Sequence, residues 1–185
     1  SKNIIYRNKA KLNDDIYVTG DLGDSFTGLQ ILKNKIKITK KIQDYFLKKY
    51  YQPDIQINLT KQLFKFANTS IDVSDGLIGD LEKMINKQNL SYVFYENNIP
   101  ISKSLLNLIK IKKLNKSNLV SNGDDYQVLF TASPIKSRII YNTSKNLGIK
   151  ITKIGKINSG SRKSIVIDQK GKQILLKNKG YTHQF

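Results

Sequence analysis

The chain has no cysteine, no tryptophan and a single histidine, His183. Without thiols, disulfide frameworks, thiolate zinc sites and cysteine nucleophiles are excluded, and a histidine-dependent triad has only His183 to draw on. Proline occurs three times, at Pro53, Pro100 and Pro134. Each lies between periodic segments, so proline punctuates elements and marks no domain boundary. No apolar run approaches the length of a membrane span, and the Ser1-Lys2-Asn3 start lacks the charged-then-apolar layout of a signal peptide. A soluble, cytoplasmic protein with no membrane partner is the expectation. There is no fixed-period repeat and no low-complexity linker, so the 185 residues are read as one domain with an ordinary core.

Acidic residues are also scarce: 14 Asp and Glu against 32 Lys and Arg give a formal net charge of +18. Clustered cations would release counterions from a nucleic-acid backbone. Here the lysines are scattered through nearly every segment beside abundant Asn and Ile. That pattern is compositional drift rather than a basic face, and no zinc finger, leucine zipper or RNA-recognition signature accompanies it. No specific nucleic-acid partner is expected, while attraction to an anionic metabolite remains compatible with the charge.

Periodicity predicts strands at 16–19, 70–73, 91–95, 126–132 and 150–157. It predicts helices at 24–32, 40–50, 59–66, 77–87, 103–111 and 135–147. A hairpin should pair 164–168 with 173–176 across Gln169-Lys170-Gly171. Strands alternating with helices imply an α/β (α+β) fold, a single domain with a mixed β-sheet packed by helices.

Three polar segments can carry chemistry. Thr69-Ser70-Ile71-Asp72-Val73-Ser74-Asp75-Gly76-Leu77 puts two carboxylates and a hydroxyl within four residues, at a strand-to-helix junction. Ser74 and Asp75 fall where a helix wants caps. The same oxygen donors suit a hard cation such as Mg²⁺ escorting a phosphate. Both readings stand at this point. Val18-Thr19-Gly20-Asp21-Leu22-Gly23-Asp24-Ser25 is a glycine-bearing turn whose Asp24 would occupy the positive end of a helix. It lacks the Walker lysine and the dinucleotide-binding spacing, so it is a weak phosphate loop. Ser121-Asn122-Gly123-Asp124-Asp125-Tyr126-Gln127 leads into a strand. Adjacent acids there point to opposite faces, so at most one of Asp124 and Asp125 faces any one cleft. At the tail, Gly180-Tyr181-Thr182-His183-Gln184-Phe185 carries aromatics that pin a terminus or stack on a ring-shaped ligand.

In their order these segments resemble a known family. Arg7, Val18-Thr19-Gly20, Leu22-Gly23-Asp24-Ser25, Ile71-Asp72-Val73-Ser74-Asp75-Gly76-Leu77 with Asp80-Leu81, Ile99-Pro100-Ile101-Ser102, Asn122 to Thr131, Ile154-Gly155-Lys156-Ile157 and the Gly180-Tyr181 tail are similar to the C-terminal part of bacterial thiamine-monophosphate kinases. The resemblance implies the C-terminal domain of the aminoimidazole ribonucleotide synthetase-like fold, with residues 1–15 as an interdomain boundary segment and 16–185 as the domain. It implies ATP-dependent phosphorylation of thiamine monophosphate to thiamine diphosphate with Mg²⁺. Under it, Arg7 and Ser74 contact ATP, Asp72 and Asp75 hold the metal, and Asp124 and Tyr181 meet the substrate. No covalent catalytic residue is expected. The family's pattern also departs here: Asp124 stands where a glutamate is usual, Asn122 replaces a glycine, and Asp54 stands where a basic residue is common.

The resemblance further implies a missing N-terminal ATP- and metal-binding domain as partner, a homodimer in the full-length protein, and no activity for this part alone. Two other readings stay open, namely a non-catalytic basic module for nucleic acid or scaffolding, and another superfamily member such as aminoimidazole ribonucleotide synthetase or selenophosphate synthetase.

Overall fold

The computed structural model describes residues 4–161, 163–168 and 170–174. Seven strands form one sheet: β1 (Asp15–Thr19), β2 (Ala67–Asp72), β3 (Leu90–Tyr95), β4 (Val128–Ala132), β5 (Ile151–Ser159), β6 (Ile165–Ile167) and β7 (Gln173–Ile174), in the spatial order β2-β4-β1-β5-β3-β6-β7. Neighbours run antiparallel except β3 and β6, which are parallel. The expected mixed sheet is therefore present. Among the described residues seven α-helices accompany it: α1 (Asp24–Leu32), α2 (Lys40–Tyr51), α3 (Ile57–Leu63), α4 (Leu77–Met84), α5 (Lys103–Lys112), α6 (Lys116–Val120) and α7 (Ser137–Leu147).

Strand alternation decides which helices meet which face. In β1, Ile16 and Val18 join one core with Leu77, Leu81 and Met84 of α4, whereas Tyr17 joins a second core with Leu59 and Leu63 of α3 and Ile140 of α7. Likewise, Leu129 faces α4 and Phe130 faces the other side, where its ring stacks on Tyr17 at 5.3 Å. Helices thus cover both faces. A third cluster joins Ile31, Phe46, Leu105, Leu108 and Leu119 where α1, α2, α5 and α6 meet. The i, i+4, i+7 spacing of Leu77, Leu81 and Met84 is what makes α4 a core helix. Truncating one such side chain, as in Leu81→Ala, costs about 2–5 kcal/mol.

Element types match the sequence reading, and the differences have local causes. α3 begins at Ile57 and ends at Leu63, earlier than the expected 59–66, because Ala67 to Thr69 are drawn into pairing with β4. For the same reason β2 starts before the expected residue 70. α4 stops at Met84 rather than residue 87, and Lys87 takes a left-handed φ of 62°. The five-residue α6 was not anticipated, although its start is marked by Asn115, whose side chain accepts the N–H of Asn118 at 2.9 Å. The hairpin is present as β6 and β7, and the remainder of its second arm lies outside the described residues. No helix among the described residues is long and apolar enough to cross a membrane.

Candidate functional site: two interlocked loops at the end of neighbouring strands

Two of the polar segments of the sequence, 72–76 and 121–127, meet because β2 and β4 are paired, with Asp72 opposite Val128. Beyond that pair the loops continue to bond to each other. Val73 N–H donates to Gln127 O at 2.8 Å, Tyr126 N–H to Val73 O at 2.9 Å, and Asp124 N–H to Ser74 O at 2.9 Å. Closeness of backbones is what the glycines permit. A Cβ on Gly123 would stand 1.7 Å from Ser74 O, and one on Gly76, whose φ is +117°, would stand 2.0 Å from Ser121 O. Asp124 and Tyr126 take left-handed φ values of 68° and 52°, so this loop holds conformations that side-chain-bearing residues seldom adopt.

The sequence assigned Ser74 and Asp75 the choice of helix capping or metal ligation. Capping of α4 does not come from their side chains: Gly76 is the N-cap and no side chain caps it. Instead Asp80 reaches back from the first turn. One of its carboxylate oxygens accepts the N–H groups of Ser74 at 2.9 Å, Asp75 at 2.8 Å and Gly76 at 3.1 Å. That arrangement satisfies the N–H of the N-cap, Gly76, and those of the two loop residues before it, and so fixes the loop's path into the helix. Asp80 is 1% exposed. Burial pushes its carboxyl up to about 6, against the backbone hydrogen bonds, with the charge of Asp72 adding to the rise and that of Arg7 opposing it.

Asp72, the last residue of β2, is exposed, and Asp75 is partly buried and bonded to Lys83 Nζ. The same ammonium lies 3.2 Å from the other Asp80 oxygen. Arg7 is exposed and held on this rim by its neighbours: Tyr6 O accepts Thr69 Oγ1–H at 2.9 Å, and Asn8 N–H donates to Met84 O at 3.2 Å. Arg7, Asp72, Ser74 and Asp75 are therefore gathered around Asp80. Asp124 joins them through its backbone, while burial raises its carboxyl and the charge of Lys33 opposes the rise. Tyr181 lies outside the described residues.

The donor set is the exposed carboxylate of Asp72, the partly buried one of Asp75 and the Ser74 hydroxyl, with the Lys83 ammonium already paired to Asp75 and to Asp80 behind it. Such oxygens suit a hard cation that keeps waters and takes further ligands from phosphates. Among the described residues, no group of three or more His, Cys, Asp or Glu side chains is arranged to hold a metal alone.

Behind the loop lies Asp125; it and Asp124 precede β4, which begins at Val128 rather than at the expected 126, so strand alternation does not set their directions. The Asp125 carboxylate, 5% exposed, accepts Gly23 N–H at 2.8 Å and Ser25 N–H at 3.4 Å, so it caps α1. Asp24, expected to serve the helix dipole, turns aside to accept Tyr45 OH at 2.8 Å and Ser102 Oγ–H at 2.7 Å. Burial raises both carboxyls, Asp125 well above the usual range. With Asp21, Ser25 and Gln127 they line a polar cavity of about 110 Å³. Asp80, Asp125 and Lys83 were not foreseen as site residues. A usable signal existed for Asp80, an acid four residues after a glycine at a helix start.

No family model matches the chain. A curated relative, the thiamine-monophosphate kinase of Buchnera aphidicola subsp. Schizaphis graminum, is 37% identical over 184 residues, covering 98% of this chain and 56% of that protein. The crystal structure of thiamine-monophosphate kinase from Stenotrophomonas maltophilia K279a aligns with a TM-score of 0.79 at 25% identity, over 93% of this chain and 54% of that one. A structure of AaThiL complexed with AMPPCP and TMP aligns with a TM-score of 0.76 at 24% identity, over 96% and 54%. The chain spans a little over half the length of the curated relatives it matches. In sequence and in fold alike, this chain is similar to the thiamine-monophosphate kinases, matching a little over half of their length.

Proposed function

We propose that this chain supplies the Asp72–Gly76 and Ser121–Gln127 side of the active site of a kinase that transfers the γ-phosphoryl group of ATP to thiamine monophosphate, giving thiamine diphosphate. The observation that carries the reading is the interlocking of the two loops, which sets the oxygen donors of one beside the candidate substrate residue of the other. A solved relative complexed with AMPPCP and TMP supports the pair of ligands.

In this reading Arg7 offers a planar guanidinium fork to phosphate, and the Ser74 hydroxyl contacts the nucleotide. Asp72 and Asp75 hold Mg²⁺, which when bound neutralises phosphate charge. Asp124 orients the substrate and Tyr181 packs against it. Phosphoryl transfer asks for positioning and charge neutralisation and needs no covalent nucleophile, which is compatible with a sequence that holds no cysteine. Two carboxylates do not complete a Mg²⁺ shell, so an N-terminal domain with further carboxylates is part of the proposal, and the chain alone is inactive. A homodimer of the full-length protein and a cytoplasmic location belong to the same reading.

The test is a thiamine diphosphate formation assay on this chain, with and without a separately supplied N-terminal half of a relative. Product only in the reconstituted mixture is expected. Turnover by the 185-residue chain alone overturns the dependence on a partner domain, and no turnover in either mixture counts against the kinase reading.

A further inference from the structure

Neither the motif nor the relatives' names account for Lys83. It sits in the last turn of α4, its side chain is 47% exposed, and its Nζ pairs with Asp75 and, at 3.2 Å, with Asp80 Oδ1. The two acids differ in kind. Asp80 is buried and committed to three backbone N–H groups through its other oxygen, whereas Asp75 is on the accessible side of the loop.

We infer that Lys83 is the resident counter-cation of the carboxylate pair, and that a divalent cation reaching Asp75 must displace its Nζ. The inference rests on the proposed metal role of Asp72 and Asp75. An ammonium and a divalent cation compete for the same carboxylate, because both need its lone pairs and each repels the other at the few ångströms that separate them. Asp80 is the hinge of the exchange. With one oxygen engaged by the loop and the other facing Lys83, it keeps the displaced ammonium within reach of the site. There the ammonium meets the phosphate that arrives with the metal, as a point charge rather than a fork. Lys83 therefore opposes bare metal and favours metal with phosphate. The helical offset supports this: Lys83 follows Asp80 by three residues, the spacing at which side chains share a face.

The experiment is a Mn²⁺ titration of the purified chain followed by electron paramagnetic resonance. Paramagnetic broadening of the Ser74, Asp75 and Gly76 amides locates the ion. Wild type, Lys83→Gln and Lys83→Met are compared, with and without a non-hydrolysable ATP analogue. Both variants are expected to bind Mn²⁺ alone more tightly by roughly two- to fivefold, the scale of losing a half-exposed ion pair. With the analogue present, that advantage should vanish or reverse. Unchanged or weaker binding of Mn²⁺ alone by both variants overturns the inference, as does the absence of Mn²⁺ binding in all three proteins. The kinase reading is judged separately by product formation in the reconstituted mixture, so the two can fail independently.

Discussion

Gly123 lies against Ser74 so closely that its α-carbon has no room for a methyl group: the added carbon would stand 1.7 Å from the Ser74 carbonyl oxygen. Both partners are backbone, so no side chain can swing away to relieve the overlap.

Gly123→Ala is therefore expected to cost about 2–4 kcal/mol or to part the two loops. The control is Gly148→Ala, where φ is +63° but nothing lies within 4 Å, and about 1 kcal/mol is expected from backbone strain alone. Chemical denaturation of both variants checks the ranking. Equal losses would mean that the loop contact is not what makes Gly123 costly to replace.

Asp80→Ala removes the acceptor of three N–H groups, and the stranded donors should cost about 2–4 kcal/mol in sum. Amide hydrogen exchange gives the local readout: Ser74, Asp75 and Gly76 should lose protection, while β1 keeps its own. Asp80→Asn, which retains one acceptor oxygen, should fall between.

These two residues show where sequence reading succeeds and where it stops. Leu77, Leu81 and Met84 announce α4 by spacing, and the alternation of Ile16, Tyr17 and Val18 announces a strand with two buried faces. Such periodic signals are local, so they survive without knowledge of neighbours. The pairing of β2 with β4 depends on segments far apart in the chain, and the partners of Asp24, Asp80 and Asp125 follow from it. Capping was expected from Ser74, Asp75 and Asp24 because each stands beside a helix start. It came from Asp80 and Asp125, one acting backward along its own helix and the other from a different element. The short α6 carries too few residues to show a period.

Asp75→Asn and Asp72→Asn should each weaken Mn²⁺ binding by about tenfold or more, while global stability changes by about 1 kcal/mol or less, because Asp72 is exposed and Asp75 pairs with the half-exposed Lys83. Isothermal titration with Mn²⁺ beside a thermal melt separates the two effects. A large loss of stability with metal binding unchanged would assign the acids a structural role instead.

Asp24 and Asp125 make stability depend on pH. A carboxyl whose pKa rises on folding holds its proton more tightly in the native state. Its contribution is complete below the unfolded value, about 4, and is lost as pH rises through the native value. Burial raises both groups, so wild type should lose stability as pH increases from about 4 toward neutrality. Asp24→Asn should lose less over the same interval, as judged by the slope of denaturation midpoint against pH. Parallel slopes for the two proteins would remove Asp24 as a source of the effect.

The interior position of β1 also has a consequence for the chain's synthesis. Its two neighbours are β4 and β5, and Thr19, at its end, shares a hydrogen bond with Val128, 109 positions onward. A nascent chain therefore carries β1 without either of its strand neighbours until β4, more than a hundred residues onward, has left the ribosome. Closing loops of that length before any reward is collected makes folding slow. Ile16 and Val18 stay available to wrong partners throughout that wait, so the yield of this protein in a cell should depend more on chaperone supply and translation speed than on the stability of the finished fold.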